Sequence, residues 1–267
     1  MHNIEKNKVQ EVYPCLDFAK FHNISLPFNN QWNNIGVSVS GGADSAILAY
    51  LLSKHINDKQ LPVKIHFISN IRMWETRPWQ RYDSIKVFET IKQIFPSIEY
   101  ERHENFIAPE IETGTIGKII PDSKNNLKGG DQISTISFAN YICRRENIDA
   151  WYAGITKNPS IKLEGAPEDR NKDFKGNIEE IITLYKGLFI LHPFKFHSKD
   201  EIIELYKDLQ ILSLLSKTRS CEGDKNSSPE TFNNLDFYTY TPYQEVPTCR
   251  KCFWCLERQW ALDKNNL

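Results

Sequence analysis

Short apolar runs rich in β-branched residues alternate along this chain with longer stretches whose apolar residues recur every three or four positions. Ile35 to Val39 has the look of a buried strand, and the following Ala43 to Lys54 places Ile47, Leu48, Leu51 and Leu52 on one helical stripe. The alternation then repeats. Val63 to Ser69 reads as a second strand, with His66 as a strand-face residue rather than a catalyst. Tyr82 to Phe95 reads as a helix and Ile98 to Arg102 as a third strand. Gln132 to Arg145 reads as a helix burying Ile133, Ile136, Ala139, Tyr141 and Ile142, and Ala150 to Ile155 as a fourth strand. From Leu188 the chain is apolar again, and Ser198-Lys199-Asp200-Glu201 supplies a capping box for a helix bearing Ile202, Ile203, Leu205 and Tyr206. Strands alternating with helices predict an α/β fold with a parallel sheet, and ligands are expected where Ser40, Asn70 and Gly154 leave it.

The polar residues between the first strand and the first helix are Ser40-Gly41-Gly42-Ala43-Asp44-Ser45. Two adjacent glycines open backbone conformations closed to other residues and remove the Cβ atoms that would hold an anion off the main chain. The N–H groups that open the next helix, with the hydroxyls of Ser40 and Ser45, then face that anion. No Gly-x-x-x-x-Gly-Lys-[Ser/Thr] run and no Gly-x-Gly-x-x-Gly is present. Asp44 has two readings. A carboxylate inside a phosphate cradle implies a bridging Mg²⁺, or it sits in the favourable field of the helix N-terminus. Lys199, in the first turn of its helix, runs counter to the dipole, so it pairs with a polyphosphate or is a solvated surface lysine.

Other segments change the picture less. Residues 1–30 are polar with scattered apolar groups and read as a short helix or arm. Arg72-Met73-Trp74-Glu75-Thr76-Arg77-Pro78-Trp79-Gln80-Arg81 combines arginine with tryptophan, either to stack a base and hold charge or to cover the core. Residues 111–130 read as a long loop over the site. Within them Lys128-Gly129-Gly130-Asp131 offers a second anion contact or a helix N-cap. The polar residues 160–180 read as a substrate loop or as solvated surface.

The chain has 267 residues, 40% of them hydrophobic, which suits one sizeable α/β core with a small appendage. A net charge of −1 with dispersed basic residues gives no strong nucleic-acid signal. No apolar run reaches the roughly 18 residues of a membrane span, and the first twenty residues lack a signal-peptide pattern, so a cytoplasmic protein is expected. Of six cysteines, Cys249, Cys252 and Cys255 form Cys-x-x-Cys-x-x-Cys, too tightly spaced for a disulfide framework. Cys221, after Thr218-Arg219-Ser220, is the best fourth ligand for a tetrahedral zinc site, and an iron–sulfur cluster is the rival. The expected organisation is an N-terminal arm over 1–34, a nucleotide-binding α/β domain over 35–195, and a C-terminal helical segment with a Cys₄ zinc site over 196–267.

The Ser-Gly-Gly-x-Asp-Ser loop resembles that of the PP-loop ATP pyrophosphatases. With Lys199 to Ile202, Ser220-Cys221, and the terminal cysteines followed by Arg258, the chain from about Ile35 to Leu262 resembles the 7-cyano-7-deazaguanine synthases of that superfamily. The resemblance implies a Rossmann-like fold of the adenine nucleotide α-hydrolase type and an ATP-dependent ligase. In that reaction 7-carboxy-7-deazaguanine is activated as an acyl adenylate, ammonia gives the amide, and a second activation gives the nitrile, with AMP and pyrophosphate released. It implies that Ser40, Gly41, Gly42, Ala43, Asp44 and Ser45 hold ATP, that Asp44 and Lys199 serve catalysis, that Cys221, Cys249, Cys252 and Cys255 hold Zn²⁺, and that Mg²⁺ accompanies ATP. Gln80-Arg81 is similar to the family's Gln-Arg, and Pro167-Glu168-Asp169-Arg170 to its Pro-Asp-Cys-Arg with Asp in place of Cys. Lys124-Asn125 stands where the family has Arg-Asn. The interval from Cys221 to Cys249, with Phe232, Phe237, Tyr238, Tyr240 and Tyr243, is longer than the family's. The alternatives are a related adenylating ligase acting on another carboxylate, of a nucleotide or a protein, and a non-catalytic nucleotide-binding module. Homodimerisation is compatible with the sequence and not decided by it.

Overall fold

The β-branched run ahead of the glycines forms the central strand of a six-stranded sheet. In the computed structural model, which describes residues 13, 15–72, 79–107, 130–166, 181–221 and 248–267, β3 spans Asn34–Ser38 and is followed by helix α1, Ala43–Lys59. The chain continues through β4 (Lys64–Arg72), α2 (Gln80–Ile94), β5 (Tyr100–Ile107), α3 (Gly130–Arg145) and β6 (Ala150–Tyr152). A hairpin of β7 (Ile182–Tyr185) and β8 (Leu188–Leu191) completes the sheet, in the order β5-β4-β3-β6-β8-β7. The pairs β5/β4, β4/β3, β3/β6 and β6/β8 are parallel, and β7 alone runs antiparallel to its neighbour. Successive strands step outward from β3 through β4 to β5, and the chain then crosses to lay β6 on the other side. That reversal opens a crevice at the carboxyl ends of β3 and β6, the place where open α/β sheets take ligands.

Two apolar layers enclose the sheet. On one face Val37, Ile65 and Phe67 pack with α1 and with Val87 and Ile91 of α2, and on the other Ile68 and Trp151 pack with Ala139, Ile142 and Cys143 of α3. Helix α1 is buried on nearly every side, because it lies between β3, α2 and the C-terminal helices α4 (Lys199–Asp208) and α5 (Leu212–Leu215). The last helix, α6 (Phe253–Lys264), packs on α4. Ile202, Ile203, Leu205 and Tyr206 of α4 and Ala261 of α6 share one core with the sheet. The expected capping box opens α4, with the Ser198 N–H donating to Glu201 Oε2 at 2.7 Å.

Three expectations are corrected. The described part of the N-terminal arm is a hairpin, β1 (Asp17–Phe21) and β2 (Ile24–Phe28), rather than a short helix. Its apolar residues Phe21, Ile24, Leu26 and Phe28 enter the main core, and Pro27 O accepts a hydrogen bond from the buried Tyr152 hydroxyl at 2.6 Å. Tyr141 is 57% exposed, because it lies about 200° around the helix from Ala139 while Ile142 and Cys143 face the sheet. Asn70 does not leave the sheet at the crevice. β4 runs on to Arg72, and Asn70 Oδ1 accepts from Asn105 on the neighbouring strand at 2.8 Å.

His66, on β4, is buried against His103 of β5, with ring nitrogens 3.0 Å apart. Asn34 Oδ1, an acceptor, faces His66 Nε2 at 3.3 Å, and the Arg145 guanidinium, a donor, faces His103 Nδ1 at 3.2 Å. Those partners fix the tautomers: His66 carries its proton on Nε2, and His103 donates from Nε2 to His66 Nδ1. Burial first, then the neighbouring His103 and Lys64, bring the His66 pKa down to about 4. The unfolded chain takes up this proton near pH 6.5 and the folded chain does not, so stability is lost as pH falls from about 6.5 to about 4. The loss from His66 is on the order of 3 kcal/mol. Denaturant unfolding across that window is expected to show it, with a shallower slope for His66→Gln.

Candidate active site

The turn after β3 is fixed by contacts that leave no room for side chains. Gly41 has φ +82°, and a Cβ there would stand 2.6 to 2.8 Å from Asp83 and the Ser84 backbone nitrogen at the start of α2. Its carbonyl accepts the Arg219 N–H at 2.8 Å, which brings the segment after α5 against the loop. Gly154, just beyond β6, approaches as closely from the other side, since a Cβ would meet Asp44 backbone atoms at 3.0 Å. The serines brace the turn. Ser45 Oγ accepts the Ser40 N–H at 3.2 Å and donates to Gly42 O at 3.1 Å, and Ser40 Oγ accepts the Gly42 N–H at 3.3 Å. Ala43 is fully buried, and its carbonyl accepts from the Tyr206 hydroxyl at 2.7 Å.

A cavity of about 190 Å³ opens on this loop at the crevice between β3 and β6. Ser40, Gly42, Ala43, Asp44 and Ser45 form its floor with Gly154, while Trp79, Gln80 and Asp83 enter from α2. Lys199 comes from α4, and Arg219, Ser220, Cys221 and Trp254 close the side next to the cysteines. The structure thus brings the sequence-predicted loop, the predicted lysine and one predicted metal ligand into a single cavity. Lys199 is 2% exposed and its ammonium pairs with Asp44 Oδ2, with Glu257 of α6 4.0 Å away and fully buried. It is therefore no solvated surface lysine. Asp44 Oδ1, Gln80 Oε1 and Ser220 Oγ are buried with no hydrogen-bond partner. Leaving a buried acceptor unpaired costs roughly 1–3 kcal/mol, more if it is charged. A hard cation on Asp44 Oδ1 fits that opening, because Lys199 occupies only the other oxygen.

The four cysteines converge beside this cavity. The Sγ atoms of Cys221, Cys249, Cys252 and Cys255 all lie within 4.8 Å of one another, and those of Cys249 and Cys255 are 3.9 Å apart. Tetrahedral coordination at 2.3 Å separates thiolates by about 3.8 Å, so the cluster could hold a metal such as zinc. Backbone N–H groups of Cys249 and Cys252 point at Cys221 Sγ and Cys249 Sγ, at 3.3 and 3.4 Å. Hydrogen bonding with the Cys221 sulfur holds Cys252 well below the usual thiol range and pushes Cys255 well above it. Four sulfurs this close could all ionise only around a shared cation. Arg258 holds the two parts of the cluster together: its guanidinium donates to Thr218 Oγ1 at 2.8 Å and to Leu215 O at 3.0 Å, tying α6 to the segment that carries Cys221. Burial lowers the Arg258 pKa.

His66, Glu101 and His103 also approach closely enough to share an ion. There, however, Arg145 keeps the proton on His103 Nε2 and Lys64 holds Glu101 at 2.8 Å, so this trio reads as a hydrogen-bonded pair beside an ion pair.

Several lining residues were not singled out by sequence as site residues: Asp83, Ser220, Trp254 and, behind Lys199, Glu257. Only adjacency to Cys221 and Cys255 could have flagged Ser220 and Trp254. Trp79 is buried, donates its indole N–H to Cys221 O at 3.0 Å, and lies under the Arg219 guanidinium at 4.2 Å, so one ring face is already covered. Arg81 turns away to Glu104, at 2.9 Å. The expectations on Lys124-Asn125, on Lys128 and the 111–129 loop, on Pro167 to Arg170, and on the aromatic residues between Cys221 and Cys249 lie outside the described residues.

No protein-family model matches this sequence, and no curated protein matches it. Solved structures similar to it include the U34-tRNA thiolase NcsA from Methanococcus maripaludis with its 4Fe–4S cluster, at 17% identity over 98% of this chain and 72% of that one, TM-score 0.45. Another is phosphoadenylyl-sulfate reductase from Candida auris in a phosphate complex, at 13% identity over 74% and 85%, TM-score 0.38. A third is NAD⁺ synthetase from Burkholderia pseudomallei, at 9% identity over 88% and 80%, TM-score 0.41. At these scores and identities none of them assigns an activity.

Two outcomes are expected from this geometry. Gly41→Ala should lower stability by about 1–3 kcal/mol in denaturant unfolding, through strain at positive φ and the clash with Asp83. Chelation of bound metal, or Cys249→Ser, should lower the thermal midpoint and loosen α6, read by amide exchange over 253–264.

Proposed function

We propose that this chain is an AMP-forming, ATP-dependent carbon–nitrogen ligase of the PP-loop type. The observation that supports this best is the cavity at the β3/β6 crevice, whose floor is the Ser-Gly-Gly-x-Asp-Ser turn and whose Asp44 keeps one buried, unpartnered carboxylate oxygen. The N–H groups opening helix α1 and the Ser40 hydroxyl grip the pyrophosphate end of ATP, with the Ser45 hydroxyl bracing the turn. Asp44, through its unpartnered Oδ1, would hold the accompanying Mg²⁺, which would supply charge neutralisation there. Lys199, paired with the other oxygen of Asp44, orients that carboxylate. With the leaving pyrophosphate held, the α-phosphate is open to a carboxylate oxygen, and AMP is transferred to give an acyl adenylate. Ammonia then displaces AMP from the acyl carbon. No side-chain nucleophile is needed, because positioning and charge stabilisation carry phosphoryl-transfer chemistry of this kind.

The substrate we assign, from the sequence resemblance, is 7-carboxy-7-deazaguanine, with 7-cyano-7-deazaguanine as product after a second activation. We assign zinc to the cysteines. Sulfurs within 4.8 Å of one another suit one shared ion, whereas a four-iron cluster places each cysteine on a different iron and spreads them apart. Adenylation and ammonolysis also require no electron transfer.

Incubation with MgATP, ammonia and the deazaguanine acid, followed by chromatography, is the test. AMP, pyrophosphate and the nitrile are expected, with roughly 100-fold less AMP from Asp44→Asn. AMP formed only with a different acid would reassign the substrate and leave the adenylation chemistry standing. ADP as product, or no turnover of ATP with any acid, would overturn the proposal.

A further inference from the structure

Helix α6 buries one stripe at intervals of four residues, Phe253, Glu257 and Ala261, and the middle of that stripe is a carboxylate. An apolar residue would serve packing there without the desolvation that a fully buried charge costs. What the stripe faces gives a reason for the exception. Glu257 Oε2 lies 4.0 Å from the Lys199 ammonium, and that ammonium pairs with Asp44 Oδ2. Lys199 is 2% exposed, so water is no substitute for either carboxylate. Asp44 holds the near position and Glu257 the far one.

A divalent ion on Asp44 Oδ1, the opening described above, changes the balance between them. An ion on one oxygen of a carboxylate repels an ammonium on the other, and at such short range in a buried site the repulsion is strong. The ion also draws on the same carboxylate charge that holds the ammonium. Lysine carries its charge on a flexible four-carbon stem, and a shift of about 1 Å turns the 4.0 Å contact into a charge-assisted hydrogen bond. A carboxylate offers about four acceptor positions, so Glu257 can receive the ammonium whatever else it binds.

We infer that Glu257 is a positioning residue of the cation site, taking over the Lys199 ammonium when a divalent ion binds Asp44. This inference rests on the Mg²⁺ part of the proposed function and adds to it a residue that does not line the cavity and acts through Lys199.

Mn²⁺ titration of the full chain with its cysteine metal in place, followed by loss of the free-ion spin resonance signal, tests this. The parent is expected to bind Mn²⁺ and Asp44→Asn to lose that binding. Glu257→Gln, which keeps the side-chain volume, should bind roughly 10-fold more weakly. In Lys199→Met, where no ammonium has to be rehoused, the same Glu257→Gln change should weaken binding by no more than about twofold. Should Lys199→Met fail to fold, a crystal of the parent soaked in Mn²⁺ decides: Lys199 Nζ is expected within hydrogen-bonding distance of Glu257 Oε2 and released from Asp44. Glu257→Gln binding as tightly as the parent, an equal loss with and without Lys199, or an ammonium still on Asp44 in the ion-bound crystal would overturn the inference and leave Asp44 as the ion's ligand. Mn²⁺ binding that Asp44→Asn does not alter would overturn the Mg²⁺ assignment and the inference with it.

Discussion

The site depends on a missing side chain at Gly41. Only a residue without a Cβ lets the first turn of α2 come within contact of the loop after β3, and only a backbone at positive φ turns the Gly41 carbonyl toward Arg219. Two elements far apart in sequence therefore meet at one residue. On one side is the sheet with its crossover helices, and on the other the C-terminal segment with its thiols. Gly154 does the same from the opposite wall, where β6 ends against the first turn of α1. Between them the two glycines set the shape of the crevice that the strand order opens.

Much of this was legible because it is local. A strand, a Gly-Gly turn and a helix follow one another over about 25 residues, and their hydrophobic periods change at the turn. Thiols three residues apart announce a metal site for the same reason, since ligand chemistry and spacing are both written in one stretch. What was not legible depends on contacts across the chain. Lys199 could be suspected from its misfit with the helix dipole, yet its partner lies 155 positions away on Asp44. Nothing in the sequence marks Glu257, and only packing of α6 against α4 shows it fully buried beside that lysine. The hairpin at 17–28 escaped because Asp17, Lys20 and His22 interrupt its apolar residues, and its burial follows from the core it covers rather than from its own pattern. Asn70 was misplaced because strand ends are set by pairing with a neighbour, here the long β5, and not by the apolar run alone.

The buried charges follow a different logic from the core. Placing Asp44, Lys199, Glu257 and Arg258 together in low dielectric costs desolvation that their mutual attraction repays only with good geometry. Apolar residues of the same volume would serve stability as well or better. Charges kept at such a cost, beside an unpartnered carboxylate oxygen and two unpartnered neutral acceptors, fit a cavity shaped for something polar that enters it.

The same reasoning explains why the thiol cluster stands against the cavity instead of at the end of a free tail. The residues after α5 have few apolar groups with which to hold a fixed path: Thr218, Arg219 and Ser220 are polar, and they reach the loop through hydrogen bonds from Arg258 and to Gly41. Hydrogen bonds of that kind contribute about 1 kcal/mol each and do not hold a segment alone. A metal–thiolate centre contributes far more, on the order of 10 kcal/mol in small zinc-binding peptides, and Cys221, which would supply one of its sulfurs, itself lines the cavity. An ion held by the four cysteines would give this polar strip of chain the rigidity that a hydrophobic core gives the loop on the opposite side.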